Sequence, residues 1–393
     1  MARIFFGKTL LSLSIAAVVS ACSPQPAATA PTAVSSDRNI ASLSVSNPST
    51  FARNEQTLLL PFNDLGVTPD QANALVALQG NNTVPSQLID HSGDGVKDSL
   101  LLQFDFAAVE TKQLQILNDT ALFNAQQLAK RTQAEISHKT GGQWQDARYI
   151  GGSFENVTEL TPPAQYTDHS EWIRYEGPGI ESDKVAYRIY LDWRNGFDIF
   201  GNKTGKPVLD QIGQDGYSSY HEMLPWGTDV LKVGKAVGAG GFGYWDGSKV
   251  ERVSKLDGHT VHIIENGPLY SALTIDYKNW QIAGKTVTLT ADLSMTAGSR
   301  LVNTRLQLSE ELDNLAIGLV KLPDTKLIQG EVEITGHAWT YVATWGQQSL
   351  SLLQALRQIV RLVHGAESFK NCCAVCAAMC PPAMALSKPL PDK

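Results

Sequence analysis

Lys184-Val-Ala-Tyr-Arg-Ile-Tyr-Leu-Asp-Trp-Arg194 decides the fold class. Val185, Tyr187, Ile189, Leu191 and Trp193 recur at every second position, and Arg188, Tyr190, Asp192 and Arg194 fill the positions between. Period two is the signature of a strand with one face buried. Leu301–Leu308 repeats it, with Val302, Thr304, Leu306 and Leu308 opposed to Asn303, Arg305 and Gln307. Working outward, similar short runs separated by Gly, Asn, Asp and Pro extend from Thr132 past Trp345 and predict a large antiparallel sandwich. Upstream, Leu58–Leu60, Gln87–Ile89 and Leu100–Phe106 predict a smaller β-sandwich over 51–117. Asp70–Leu78 reads as one helical insertion, and 118–131 as a helix linking the two domains, so that the larger body runs over 132–350. The expected class is therefore all-β.

The outer ends have a different character. Residues 1–21 carry Arg3 and Lys8, then an apolar run from Leu10 to Val19, as a secretory signal does; the run is too short to span a bilayer. Val19-Ser-Ala-Cys22 resembles the bacterial lipobox, which implies lipidation of Cys22, and Ser23 after it favours the outer membrane. Residues 22–50 are rich in Ala, Pro, Ser and Thr and read as a flexible tether. Near residue 350 the composition breaks. Residues 351–393 hold five Lys/Arg against two Asp/Glu, and four of the five cysteines (Cys372, Cys373, Cys376, Cys380). Leu352, Leu353, Leu356, Ile359, Val360 and Val363 form a helical stripe. Such a break is expected of a translational frameshift near residue 350; the alternative is a natural C-terminal helix with a cysteine-rich tail. Adjacent Cys372 and Cys373 make poor zinc ligands, and an oxidising compartment favours disulfides.

The chain has Lys+Arg 32 against Asp+Glu 39, a net charge of −7. That excludes the basic footprint of a nucleic-acid binder. No phosphate-binding loop, nucleophile-elbow serine or His-Glu-x-x-His zinc motif occurs. Asp90, Ser92, Asp94 and Asp98 with Gly95 are spaced like a calcium loop, but Leu101 stands where the twelfth-position Glu belongs. A hairpin turn held by Asx contacts explains the same residues.

The polar face of 184–194 carries Arg, Asp and Tyr, side chains suited to gripping carboxylates and sugars. Around it lie Arg174-Tyr-Glu-Gly-Pro, Glu181-Ser-Asp183, Asp198-Ile-Phe-Gly, His221-Glu-Met and Trp226-Gly with Lys232-Val-Gly-Lys. Arg174-Tyr-Glu-Gly-Pro, Tyr190-Leu-Asp-Trp-Arg, Asp198-Ile-Phe-Gly and Trp226-Gly resemble, in order, a family of bacterial secreted proteins known as domain of unknown function 4861. The resemblance covers roughly Leu58 to Leu350. It implies a galactose-mutarotase-like sandwich after a smaller β domain, and for some relatives a lyase or dehydratase action on uronic-acid oligosaccharides.

Such an elimination needs a clamp for the carboxylate, a base and an acid. Arg188 and Arg194 are the expected clamp, His221 the base, Tyr175 or Tyr190 the acid. Arg174, Glu181, Asp183, Asp192, Asn303, Arg305 and Gln307 are candidates for binding the acidic oligosaccharide, with both polar strand faces and His221 lining one groove. Trp172, Trp193 and Trp226 are candidate stacking platforms. Alternatives are a non-catalytic glycan-binding lipoprotein, a mutarotase, or a glycosidase using Glu181 with Asp183 or Asp192.

Overall fold

The computed structural model describes residues 38–378, apart from 232, 324, 335–336, 347–348, 351–353, 356–358 and 365–372. The signal, lipobox and first part of the tether therefore lie outside the described residues, as do Cys372 and Cys380. The fold is all-β, with one short α-helix among the described residues. It divides into two compact units, one up to Arg131 with Gly267–Tyr270 added, the other made of 132–266 and the chain from Ser271 on.

In the first unit a four-stranded sheet (Asn39–Ser46, Thr111–Asn118, Leu75–Gln79, Asn82–Val84) accompanies a three-stranded one (Arg53–Pro61, Ser99–Phe106, Ser86–Ile89). Leu58 and Leu60 stand directly opposite Leu102 and Leu100 and join Val45, Leu75, Ala77, Leu114 and Ile116 in one core. Three expectations are corrected here. Asn39–Ser46 is a strand paired to Thr111–Asn118, not tether, because Val45 finds a fully buried place. Asp70–Leu78 is not a helix. A single 3₁₀ turn, Pro69–Gln71, leads into Leu75–Gln79, whose run of apolar residues is buried in the sheet. The helix expected over 118–131 covers only Thr120–Ala125, started by Asp119, whose carboxylate accepts the Ala121 and Leu122 amides at 3.0 and 3.1 Å.

The second unit packs a six-stranded sheet against a nine-stranded one. The order of the first is Ser153–Val157, Thr132–Thr140, Gly179–Ser182, Val185–Ile189, Phe197–Asn202, Gly227–Asp229. The second includes Gly258–Asn266, Tyr270–Ile282, Lys285–Thr296 and Leu301–Leu308. Val185, Tyr187, Ile189, Phe197 and Ile199 share one core with Ile275, Val287, Leu289, Val302 and Leu306. Beyond Leu301–Leu308 the nine-stranded sheet continues through Cys373–Ala378, Ile359–His364, His337–Gly346 and Thr325–Ile334. The helical stripe is thus replaced by strand over Ile359–His364, where β-branched residues favour extended backbone.

The alternation of 184–194 stops early. The strand ends at Ile189, and 192–195 form a turn in which Asp192 Oδ1 accepts the Arg194 amide at 2.8 Å and Asn195 has φ 40°. Asx chemistry overrides the period. Trp193, expected on the apolar face, consequently stands at the turn tip, 42% exposed.

Candidate functional site

Because the two sheets share a core, their polar faces point to opposite outer sides. Arg188 and Arg305 therefore do not line one groove. Arg305 and Gln307 both donate to Asp292 Oδ2, at 2.7 and 2.9 Å, on the outer face of the nine-stranded sheet, and Asn303 stands opposite Ser294 there.

The polar face around Arg188 is neither an open groove nor a solvated surface. A layer of loops covers it, packed through Tyr175, Ala186, Phe200, Val208, Leu209, Ile212, Tyr220 and Trp226. Two glycine positions explain motif residues. A Cβ on Gly177 would sit 1.8 Å from the Ile189 carbonyl oxygen, and one on Gly227, at φ 141°, would sit 1.7 Å from that of Gly201.

Under this layer lies an ionic network. Arg188 stands opposite Asp198 in register and donates to its Oδ2 at 2.7 and 3.1 Å. It also donates to Asp229 Oδ2 at 2.8 Å, to the Tyr190 hydroxyl at 2.6 Å and to the Tyr220 hydroxyl at 3.1 Å. Arg194 grips Asp192 bidentately and donates to Glu176 Oε1 at 2.8 Å. Its guanidinium lies 3.9 Å above the centre of the Tyr190 ring. Four carboxyls face two guanidiniums here. Burial, with Asp198 beside it, pushes the Asp229 carboxyl well above its ordinary range, and burial raises Asp192 too.

The expected clamps and acids are thus internal. Arg188 is 1% exposed and Arg194 8%. Burial, then Asp198, raises the Tyr190 hydroxyl far above its usual value, and Tyr175 is buried with its hydroxyl on Glu135. Arg174 pairs with Glu135 and donates to the Leu209, Asp210 and Ile212 carbonyls, which fixes a loop. Glu181 accepts the Val208 and Leu209 amides at 2.8–2.9 Å; Asp183 accepts the Gly298 amide and pairs with Lys184. The buried Glu181, Asp183 and Asp192 leave no carboxyl pair for a glycosidase among those expected. Trp172 and Trp226 are buried and cannot stack on a sugar.

His221 does reach solvent. Its side chain is 40% exposed, with Nε2 3.8 Å from Asp229 Oδ2, so it joins the buried network to the surface. Burial, then the Arg188 charge, lowers its pKa from 6.5 and favours the neutral base. Tyr217 and His169 extend it into a row. The Tyr217 ring centre is 4.9 Å from that of His221 and 4.6 Å from that of His169, and the Tyr217 hydroxyl is 2.9 Å from His169 Nε2. His169 and Tyr217 line a cleft of about 830 Å³ together with Arg148, Asp168, Glu171, Ser219 and Glu222. Arg148, 61% exposed at its side chain, pairs with Glu171.

Left-handed backbone recurs at two residues lining the cleft, His169 and Glu171, and at three buried residues near the ionic network. Five of the ten non-glycine residues with left-handed φ among the described residues are His169, Glu171, Tyr175, Glu176 and Asn195. Each costs about 1–3 kcal/mol, and such residues cluster at functional sites. The sequence reading missed His169, Tyr217, Asp229 and Arg148. The Tyr217-x-x-Tyr-His221 spacing was the signal available for Tyr217.

The calcium candidates form a turn. Asp90 accepts the Gly93 and Gly95 amides at 2.6 and 2.7 Å, Asp98 those of His91 and Ser92, and Asp94 that of Val96. Oxygens a cation would need are engaged with backbone. Among the described residues no group of three or more His, Cys, Asp or Glu is arranged to hold a metal.

Comparison with known proteins gives two matches. The family model described as Domain of unknown function (DUF4861) matches residues 45–357. The chain is also similar to a solved protein in the glycosyl hydrolase family 38 from Enterococcus faecalis, at a TM-score of 0.31 and 10% identity, covering 88% of this chain and 41% of that one. The chain thus spans less than half the length of that protein. No curated protein matches.

Proposed function

The chain belongs to the DUF4861 family, and we propose that it is a carbohydrate-active lyase or dehydratase acting by β-elimination on uronic-acid oligosaccharides in the cleft beside His221. The observation that carries this reading is the His169–Tyr217–His221 row: His169 and Tyr217 line the solvent-open cleft, and the His221 imidazole, its pKa lowered chiefly by burial, lies against the Tyr217 ring behind them. His221 takes the proton from the carbon next to the carboxylate. That C–H electron pair becomes the new carbon–carbon double bond as the bond to the leaving oxygen breaks. Tyr217 gives that oxygen a proton, and solvent restores both residues. Arg148, paired with Glu171 in the free protein, exchanges that carboxylate for the substrate's, the one guanidinium of a lining that also holds Asp168, Asp215 and Glu222. Arg188 acts at one remove, adding its charge to burial in lowering the His221 pKa.

The test is ultraviolet absorbance during incubation with uronate oligosaccharides. His221→Ala and Tyr217→Phe abolish the rise while binding persists. The acid limb of kcat/KM lies below the usual histidine pKa of 6.5, since the base is lost only as pH falls through a depressed value. Binding with no absorbance change on any acidic glycan defeats this reading and favours a glycan-binding lipoprotein, to which the exposed Trp193 and Trp245 are suited.

The same reading places the body on a diacyl anchor at Cys22 in the outer membrane. Cys22→Ala then stays unprocessed; a variant that still incorporates fatty acid overturns the anchor.

A further inference from the structure

A second hollow lies elsewhere on the larger unit, and none of its lining residues belongs to the cleft. It measures about 410 Å³ and is walled by Tyr244, Arg252, Lys255, Gln281 and Lys285, with Asp246 and Glu251 at its side. Its frame is two hairpins, Ala239–Trp245 with Val250–Arg252, and Tyr270–Ile282 with Lys285–Thr296. Volumes of this order hold small ligands.

Its charge is out of character with the chain. The whole protein carries −7, yet three cations converge here and none forms an ion pair with an acid among the described residues. Arg252 donates to the Lys235 carbonyl at 2.7 Å, and Lys285 to the Glu311 carbonyl at 2.7 Å. A carbonyl satisfies a donor without neutralising its charge. Lys255 is exposed and meets no acid. Of the two acids, one is offset by a neighbouring cation and the other keeps its charge while backbone holds one of its oxygens. Glu251 pairs with Lys249 at 2.7 Å, and Asp246 Oδ1 accepts the Ser248 and Lys249 amides and the Ser248 hydroxyl at 2.8–2.9 Å. With Glu251 offset by Lys249, three cations stand against the single remaining carboxylate of Asp246, and a concave site of net positive charge on an acidic body attracts anions.

The hollow also offers one flat surface, Tyr244, in its wall. Outside the lining, the Arg252 guanidinium lies over the exposed Trp193, 4.8 Å from its ring centre. The Ala283-Gly284 turn that precedes Lys285 has φ 51° and 75°, so an alanine is held left-handed at the rim. Unpaired cations beside an aromatic face fit a sugar ring bearing an anionic group.

We propose that this hollow is a second, non-catalytic site for an anionic saccharide unit, with Lys255 and Arg252 as its anion contacts. It rests on the functional reading above only for the ligand class. The anion is a uronate carboxylate or a sulfate ester, which share this chemistry.

Calorimetric titration with a galacturonate trimer, a sulfated chondroitin disaccharide and a neutral cellotriose tests it. In His221→Ala, which has no turnover, the hollow binds an anionic probe and not cellotriose, more weakly as salt rises. Whichever anionic probe binds identifies the group. Lys255→Glu, an exposed change that leaves folding intact, weakens that binding tenfold or more, as does Arg252→Gln, while absorbance-monitored turnover of a short soluble substrate by Lys255→Glu is unchanged. Unaltered affinity in both variants, equal binding of cellotriose, or no binding of either anionic probe overturns the site. The binding outcomes, unlike the turnover control, stand whether or not the cleft is catalytic.

Discussion

Arg188 shows what one side chain does here. It holds Asp198, Asp229, Tyr190 and Tyr220 at once, with no access to water. Removing one partner of a buried ion pair leaves the other charge uncompensated, at roughly 3–5 kcal/mol. Arg188→Ala is therefore expected to lower the urea midpoint sharply, and Arg188→Lys to recover only part, because an ammonium cannot reproduce the fork. Glu181 supplies a pH signature. Burial raises its pKa from 4.5 to about 8 despite the Val208 and Leu209 amides. The folded chain holds this proton more tightly than the unfolded one. Its contribution is fully present below pH 4.5 and is lost as pH rises towards 8. Unfolding free energy should fall across that window by on the order of a few kcal/mol, and Glu181→Gln should flatten the slope.

At the scale of elements, local signals competed and the stronger won. The period-two pattern of 184–194 located a strand correctly, yet Asp192 and Asn195 ended it after Ile189 and turned Trp193 outward. Asn39–Ser46 looks like tether by composition, and only its pairing with Thr111–Asn118 makes it a strand. The helix Thr120–Ala125 is shorter than its polar, alanine-rich stretch implies, which makes its cap important. Asp119 accepts two helix amides and pairs with Arg38 at 2.7 Å. Asp119→Ala should cost about 1 kcal/mol, read by chemical denaturation, and Asp119→Asn should retain most of the cap. No loss in the alanine variant would mean that the cap carries no stability.

For the whole molecule, the decisive fact is that both sheets of the larger unit bury their apolar faces in one core. Strands Ile359–His364 and Cys373–Ala378 lie between Leu301–Leu308 and His337–Gly346. The DUF4861 match also runs to 357, beyond the composition break. Ending the chain at residue 350 would strip two interior strands and expose sheet edges. The shortened protein is expected to aggregate or to lose cooperative unfolding. A truncated form as stable as the full chain would instead support the frameshift expectation, under which the tail packs poorly.

The sequence by itself determined the all-β class, the sandwich cores and the richness of the Arg188 strand in paired charge, because side-chain parity and turn chemistry are local. It also set His221 among dense polar motifs, and the structure leaves that side chain 40% exposed. Only the tertiary structure decided that Arg188, Arg194 and Tyr190 are enclosed while His169, Tyr217 and Arg148 meet the cleft. Strand parity names a face but not what covers it. Here that face is covered by loops from 174–176 and 208–226, and the burial they impose turned expected ligand contacts into an internal ionic support.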